Sequence, residues 1–291
     1  MSQTFNQDHQ KMEIKPRHMD FPFGSLKNVK FFDDNIYKSA FVVGMSAGFP
    51  VGEGEFLASV RNYRDQITNP DLLKQVRGFI GQEGHHSNQH AKVNEELDRL
   101  GYNTQKIDRS FRKTTDKYVI PRSDKFRLAH TVCYEHLTSI MGEYALNDSR
   151  FLEGMDEPFK DLMLWHCVEE VEHKSVAYDV YMETIGDIKY LHRVMKLTIT
   201  VLNLRLTKYM FIMAFSTKHW ANLKDLTGFF SWVFGKGGIM RSLYKPFKEF
   251  YKKDFHPWHN GGFDLIEKWE KELSRPEQNK ANKEYLQANP T

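Results

Sequence analysis

Two segments of the chain carry glutamate and histidine at a spacing that suits metal binding. The segment FIGQEGHHSNQH places Glu83 and His86 three positions apart, and the segment WHCVEEVEHK does the same with Glu170 and His173. On an α-helix, positions i and i+3 lie on the same face, so the two side chains of each pair can meet one ligand. Carboxylates and imidazoles are common donors to iron, manganese and zinc. We interpret each pair as part of a metal site.

The second segment has a further histidine on the same helical stripe. His166 precedes Glu170 by four positions, and Phe159 and Met163 continue the stripe toward the amino end. A carboxylate on an apolar stripe costs several kcal/mol unless it is paired or bound to a metal. A divalent cation would satisfy His166, Glu170 and His173 together. For this helix alone, a buried polar network or a surface patch remains an alternative explanation.

Two other glutamates of the same segment fall off this stripe. Helical rotation places Glu172, together with Asp179, almost opposite the stripe, and it places Glu169 at the stripe's edge. We therefore expect Glu172 to be exposed to solvent.

A metal site of this kind needs carboxylates from two more helices. Ferritin-like di-iron and di-manganese proteins combine Glu-x-x-His on two helices with a single Glu on each of two others. Glu135, in HTVCYEHLTSI, is the candidate on the third helix, and either Glu53 or Glu55, in FPVGEGEF, is the candidate on the first. Such a donor set favours iron or manganese over structural zinc, although a di-zinc hydrolase remains an alternative.

The elements that must position these residues read as helices, and little alternation typical of strands is present. We predict an all-α, ferritin-like four-helix bundle with a C-terminal helical extension. The expected helices cover about 37–67, with an interruption near Pro50, then about 70–98, 123–147 and 158–184. The polar stretch 101–121 is predicted to be a long connection.

The distribution of charge along the chain is more informative than the total charge. The 291 residues carry a net charge of +3, which does not favour nucleic-acid binding, and the two cysteines with no secretory signal favour the cytoplasm. Between Lys189 and Asp254, however, thirteen Lys and Arg stand against three Asp and Glu, a net +10. We therefore predict three segments: a lead-in at 1–35, the bundle at 36–186 and a basic, aromatic extension at 187–291.

The extension allows several roles. Residues 191–215 are apolar but contain four cations, which argues against a membrane span. Mixed aromatic and basic residues over 190–255 are consistent with peripheral contact to a membrane. They are equally consistent with a lid or tunnel for a hydrophobic substrate, with lysines meeting an anionic end. His256, in FHPW, is expected either near the mouth of the site or at a helix cap.

Several of these motifs resemble a bacterial family described as predicted metal-dependent hydrolases. The matching pieces are FPVGE, FIGQEGHH, the pair Glu135-His136, WHCVEEVEH and FHPW, and the resemblance extends over roughly 15–275. In that pattern the first-helix glutamate falls in FPVGE, which indicates Glu53 rather than Glu55.

The spacing His-x-x-x-Glu-x-x-His is also similar to that of di-iron arylamine N-oxygenases of the p-aminobenzoate N-oxygenase type, in which an extra histidine joins the usual six ligands. His90, one turn beyond His86, departs from that pattern, and the alternatives for it are a further ligand, a residue that supports a ligand, or a core histidine. His85 and His136 are expected not to bind metal. By this resemblance one half of the site and the bridge come from Glu53, Glu83, His86 and Glu135, and the other half comes from His166, Glu170 and His173.

These resemblances imply a non-haem di-iron oxidase or oxygenase that uses dioxygen on a small hydrophobic or aromatic substrate. The implied cofactor is two iron ions, with manganese or zinc as alternatives, and an external electron donor would be required. A homodimer is compatible with this function. The alternatives are a di-metal hydrolase acting through a metal-bridging hydroxide, and a ferritin-like metal-binding protein without catalysis.

Overall fold

The structure, a computed structural model, describes residues 13–273 and is all-α over that range, as predicted. Within it the only β-type pairing is an isolated bridge between Phe32 and Met155. The helices are α1 (Ile36–Ser46), α2 (Phe49–Arg61), α3 (Pro70–Arg99), α4 (Thr104–Tyr118), α5 (Asp124–Asn147), α6 (Ser149–Glu153), α7 (Phe159–His173), α8 (Val176–Thr184), α9 (Ile188–Ser216), α10 (Leu223–Phe234), α11 (Ile239–Glu249) and α12 (Phe263–Leu273).

Local capping explains where the central helices begin. The Asn69 side chain accepts hydrogen bonds at the start of α3, and Ser123 accepts one at the start of α5. Both helices match the predicted ranges. The expected interruption of the first helix is also confirmed, because α1 ends at Ser46 and α2 begins at Phe49. Pro50 lies in the first turn of α2, where a missing N–H costs nothing.

The prediction that 101–121 is a connection was wrong, since α4 occupies most of it. Asn103 caps this helix, and the fully buried Ile107 anchors it to the core. A helix that is otherwise charged needs only such a narrow apolar stripe to pack.

The single helix predicted over 158–184 was also wrong, because the chain turns at Lys174 and Ser175 between α7 and α8. The Lys174 side chain is buried and donates hydrogen bonds to Glu143 and to the carbonyl of Gly261. These two contacts hold the turn, since a buried ammonium must have acceptors.

Four helices close a ring at the centre of the molecule. Helix α2 contacts α3 and α5, and α7 likewise contacts α3 and α5. Gly142 of α5 allows a close approach to α7, because a Cβ there would lie 3.1 Å from the carbonyl oxygen of Cys167. The ring carries all the glutamates and histidines proposed as metal ligands.

Two parts of the chain cover this ring. Residues 13–35 contain a short 3₁₀ turn at Phe23–Ser25 and run across α3. At the other end of the chain, α9 packs on α1 and α5, α10 packs on α1, and α11 packs on α5. Across residues 13–273, no helix has the combination of length and apolar character that crossing a bilayer demands. The proposed division at residues 35 and 186 stays a prediction.

Candidate metal centre

Side chains from all four helices of the ring converge in the interior. Each is at most 3% exposed. The residues are Glu53 from α2, Glu83 and His86 from α3, Glu135 from α5, and His166, Glu170 and His173 from α7. We call these seven residues the metal cluster; all seven were predicted from the sequence to bind metal.

The ligand atoms of the cluster fall into three overlapping groups, and within each group all atoms lie within 4.8 Å of one another. Two groups share no residue, so they outline two neighbouring positions. The third links them through Glu83 and His86. The groups are Glu53–His86–His166, Glu83–Glu135–His173 and Glu83–His86–Glu170. His166 thus lies with the α2 and α3 ligands, whereas the resemblance placed it with His173.

Several of these buried atoms have no hydrogen-bond partner. They include both carboxylate oxygens of Glu83 and of Glu135, Nδ1 of His86 and Nε2 of His173. Nε2 of His173 lies 3.3 Å from a Glu83 oxygen and 3.5 Å from a Glu135 oxygen. A buried polar atom left without a partner costs about 1–3 kcal/mol, and native proteins rarely leave several together. The donors present therefore fit a bound cation.

The electrostatics of the cluster lead to the same conclusion. Burial, and then the neighbouring carboxylates, raise the pKa of Glu53 and of Glu135 well above the usual value. Burial also acts to raise the pKa of Glu170, but its hydrogen bond with His166 and its close contact with His173 outweigh burial and hold that pKa well below the usual value. Four buried carboxylates need protons or cations, and two divalent cations would match their charge.

Glu169, which lies outside the metal cluster, contacts and orients His86. Nε2 of His86 lies 3.0 Å from Oε2 of Glu169, and Arg17 donates to the other Glu169 oxygen from both its main-chain N–H and its guanidinium, each at 3.2 Å. Burial acts to lower the pKa of His86, but its contacts with Glu169 and Glu83 together raise it well above the usual value. A carboxylate behind an imidazole is typical of metal-binding histidines, because it fixes the tautomer and the ring orientation.

Gln82, which also lies outside the metal cluster, contacts and orients His173. Its Nδ1 lies 2.9 Å from the Gln82 amide oxygen, and the Gln82 amide nitrogen donates to Glu172 at 2.7 Å. Arg17 then binds both oxygens of Glu172, at 2.8 and 2.5 Å. Arg17 thus connects to histidines in both halves of the cluster.

The prediction that Glu172 is exposed was therefore wrong. Its side chain is buried because the N-terminal segment, which carries Arg17, lies over that face of α7.

Asp179 is half-buried and accepts a hydrogen bond from Ser175. Its other oxygen lies 2.9 Å from Nε2 of His256, which also caps the 3₁₀ turn Pro257–Asn260.

Glu53 and Glu55 have separate surroundings. Glu53 lies in the cluster and accepts a hydrogen bond from Ser87, whereas Glu55 forms a two-point ion pair with Arg127 at 2.6 and 2.9 Å. Since Glu55 is already neutralised outside the cluster, the geometry favours Glu53 as the ligand from α2.

His90 lies behind the cluster. Its Nε2 is 2.8 Å from Nδ1 of His166, its Nδ1 is 2.9 Å from the Ser46 hydroxyl, and it belongs to none of the ligand groups found within residues 13–273. These contacts suit a residue that orients His166. His85 contacts His18, and His136 lies against Phe250 and Phe255, so both are turned away from the ligand groups.

An apolar cavity meets the cluster on one side. It has a volume of about 100 Å³, and it reaches Glu53, His166 and Glu170. The rest of its wall is largely apolar and includes Phe49, Phe111, Leu137, Met141 and Met163. We call it the inner cavity.

Arg17 and Gln82 were not predicted from the sequence to belong to the site. Gln82 stands beside Glu83 in FIGQEGHH, but it is rotated by about 100° from the ligand stripe, so the stripe did not include it. Arg17 belongs to a segment with no helical period, and nothing in its sequence neighbourhood connects it with α7.

An all-α fold that buries a carboxylate–histidine cluster with unpaired donor atoms defines a metal-binding helical protein. A family model described as "Predicted metal-dependent hydrolase" matches residues 15–261, and the chain belongs to that family. No curated protein and no solved structure matches the chain.

Proposed function

We propose that the protein is a di-iron oxidase or oxygenase that uses dioxygen to oxidise a small hydrophobic or aromatic substrate. The observation that carries this proposal is the meeting of the metal cluster with the inner cavity. A substrate in that cavity would lie against Glu53, His166 and Glu170 on one side. The other sides are mainly apolar, together with Tyr134, Thr138, Arg205 and Tyr209. Two iron ions, supplied with electrons by an external donor, would provide the reduction of dioxygen.

The residues of the cluster would hold the two ions and balance their charge. Carboxylates outnumber imidazoles there, and such oxygen-rich sets suit iron and manganese. Glu169 and Gln82 would keep the ring nitrogens of His86 and His173 aimed at the ions. This outer support makes the cluster rigid before a substrate arrives, which is the usual way in which proteins tune a metal site.

The wall of the inner cavity would exclude water and orient the substrate. The Phe49 ring lies 4.8 Å from the His166 ring and 4.6 Å from the His90 ring, so it screens this edge of the cluster. Burial raises the pKa of the Cys167 thiol, so this thiol stays protonated and is a poor nucleophile. The cavity thus offers a reactant few polar groups apart from the cluster itself.

Hydrolysis is the second candidate, and the family's description favours it. In that case the metal pair would activate water toward an ester or a related bond. The cluster residues would keep the same binding roles, and the apolar cavity would select an apolar acyl or alkyl group.

Oxygen consumption distinguishes the two candidates. Iron-loaded protein, reduced without air and then mixed with dioxygen, should consume oxygen and give a transient visible absorption. The Glu55→Ala variant should behave like the native protein, whereas Glu53→Ala should not respond. Hydrolysis of a p-nitrophenyl ester that depends on Glu53, with no oxygen consumed, would contradict the oxidase proposal and favour the hydrolase.

A further inference from the structure

A second and larger cavity adjoins the inner cavity. Its volume is about 340 Å³, and it is bounded by α5, α9, α10 and α11. We call it the outer cavity. The two cavities are neighbours, because five side chains line both of them: Leu137, Met141, Phe151, Leu202 and Leu206.

The outer cavity opens to solvent between α10 and α11. Four of its lining side chains are strongly exposed although they are apolar or aromatic: Phe230 at 44%, Phe234 at 56%, Met240 at 42% and Tyr244 at 61%. Large exposed apolar side chains grouped around a cavity mark a binding site more often than a solvent surface. The mainly apolar walls of these two neighbouring cavities suit a flexible hydrocarbon chain.

The mouth of the outer cavity is basic. From Leu223 to Lys248 the chain has five Lys and Arg and one acidic residue, Asp225. Asp225 is buried and already bound to Lys30, so it does not offset the exposed cations. The ammonium of Lys248 lies 5.2 Å from the centre of the Tyr244 ring, which places positive charge at the mouth itself.

We propose that the two cavities bind an acyl chain with an anionic head group. The hydrocarbon chain would occupy the outer cavity and pass Leu202 and Leu206 into the inner cavity, where its far end meets the metal cluster. The head group would stay at the mouth, near Arg241, Lys245 and Lys248, which are exposed. The identification of this ligand as a substrate rests on the proposed function, whereas its binding does not.

Binding of myristate to the metal-loaded, full-length protein tests the proposal. Titration calorimetry with monomeric myristate should show saturable binding of one molecule per chain, and hexanoate should bind far more weakly. The Leu206→Trp variant fills the passage between the cavities and should weaken myristate binding by about tenfold or more. Leu204→Trp is the matched control, because Leu204 lies on the same helix but is 70% exposed and lines neither cavity. It should bind like the native protein.

A second variant, Leu243→Trp, and a second probe, phosphatidylglycerol vesicles, complete the binding test. If Leu206→Trp does not fold, Leu243→Trp narrows the outer cavity alone and should weaken myristate binding in the same direction. Vesicles of phosphatidylglycerol distinguish the source of the acyl chain: sedimentation with these vesicles without binding of free myristate assigns a membrane lipid, and binding of free myristate assigns a fatty acid.

Metal content, measured on every sample, separates this inference from the proposed function. Protein that holds its metal but binds neither myristate nor vesicles would overturn the inference and leave the proposed function intact. Equal myristate binding by Leu206→Trp and the native protein would also overturn it. A dimer that is detected by light scattering and dissociates when Phe234 is replaced by Asp would overturn the inference as well. The apolar side chains at the mouth would then form an interface between two copies of the chain.

Discussion

Glu53 and Glu55 are two buried carboxylates of the same helix with different partners, and they form a matched pair for mutation. Replacing Glu53 by Ala removes a donor from the metal cluster and should lower metal content sharply. Replacing Glu55 by Ala leaves Arg127 without its ion pair, so it should lower the melting temperature and leave the metal content unchanged. Metal analysis and thermal unfolding of both variants check this. Equal metal loss in the two would show that the cluster is assigned wrongly on α2.

Arg17 is the residue whose role extends furthest from its place in the chain. The Arg17→Ala variant leaves Glu169 and Glu172 without their cation, so His86 and His173 lose their support together. Loss of such outer contacts typically weakens metal binding by about 10–100-fold. Competition for Fe²⁺ or Mn²⁺ against a chelator measures the change.

Two controls accompany the Arg17 variant. Arg61→Ala removes an exposed arginine at the end of α2 and should leave metal affinity unchanged. Arg17→Lys restores the charge but not the two-point geometry, so its affinity should lie between those of the native protein and Arg17→Ala. Native affinity in Arg17→Ala would show that the cluster is positioned by the helices alone.

Two glycines of α3 allow the N-terminal segment to pack closely against this helix. A Cβ at Gly78 would overlap the main chain of Ile14, and one at Gly81 would overlap Pro16. Gly78→Ala should therefore displace the segment that carries Arg17 and weaken metal binding as Arg17→Ala does. Gly84, on the same helix, has no neighbour within 4 Å of an added Cβ.

Gly84→Ala is accordingly the control for this element. It should keep native metal affinity and raise stability by roughly 0.5–1 kcal/mol, because alanine favours the helix. Chelator competition and denaturant unfolding measure the two effects. Native affinity in Gly78→Ala would mean that the segment contributes nothing to the cluster.

Elements that depend on interactions between residues close in sequence were predicted correctly, whereas features that depend on contacts between distant residues were not. Helices α3 and α5 are marked by local signals, the caps Asn69 and Ser123, so the sequence predicted them well. Five residues of the cluster, on α3 and α7, were recognisable because i, i+3 and i+4 spacing is also local, whereas Glu135 was proposed from its apolar neighbours and Glu53 from the family resemblance. The break at Lys174 depends on distant partners, and so does the burial of Glu172, whose partner Arg17 is 155 residues away. Such long-range contacts leave no period in the sequence.

Histidines whose pKa is lowered in the folded protein make the stability of the whole molecule depend on pH. Burial, followed by the charge of Arg205, lowers the pKa of His130 to about 4, and burial with Lys174 lowers that of His136 to about 3. Unfolding returns both to about 6.5, so between these values the unfolded chain binds more protons. Stability should therefore fall as the pH drops below about 6.5, by up to about 1.4 kcal/mol per pH unit for each histidine.

Replacing His130 tests this pH dependence away from the metal cluster. His130→Gln should make the loss of stability between pH 6.5 and pH 4 shallower, by about one proton's contribution. His219→Gln, at an exposed position, should keep the native slope. Denaturant unfolding at a series of pH values measures the slopes, and an identical slope in His130→Gln would contradict the burial argument.

The proposed function requires that one molecule of this protein hold a pair of iron ions inside the ring formed by α2, α3, α5 and α7. Elemental analysis of protein purified from iron-supplemented cells tests it most directly. We expect about two irons per chain, the number that ferritin-like di-iron proteins hold. One zinc with no iron, or no metal at all, would contradict it.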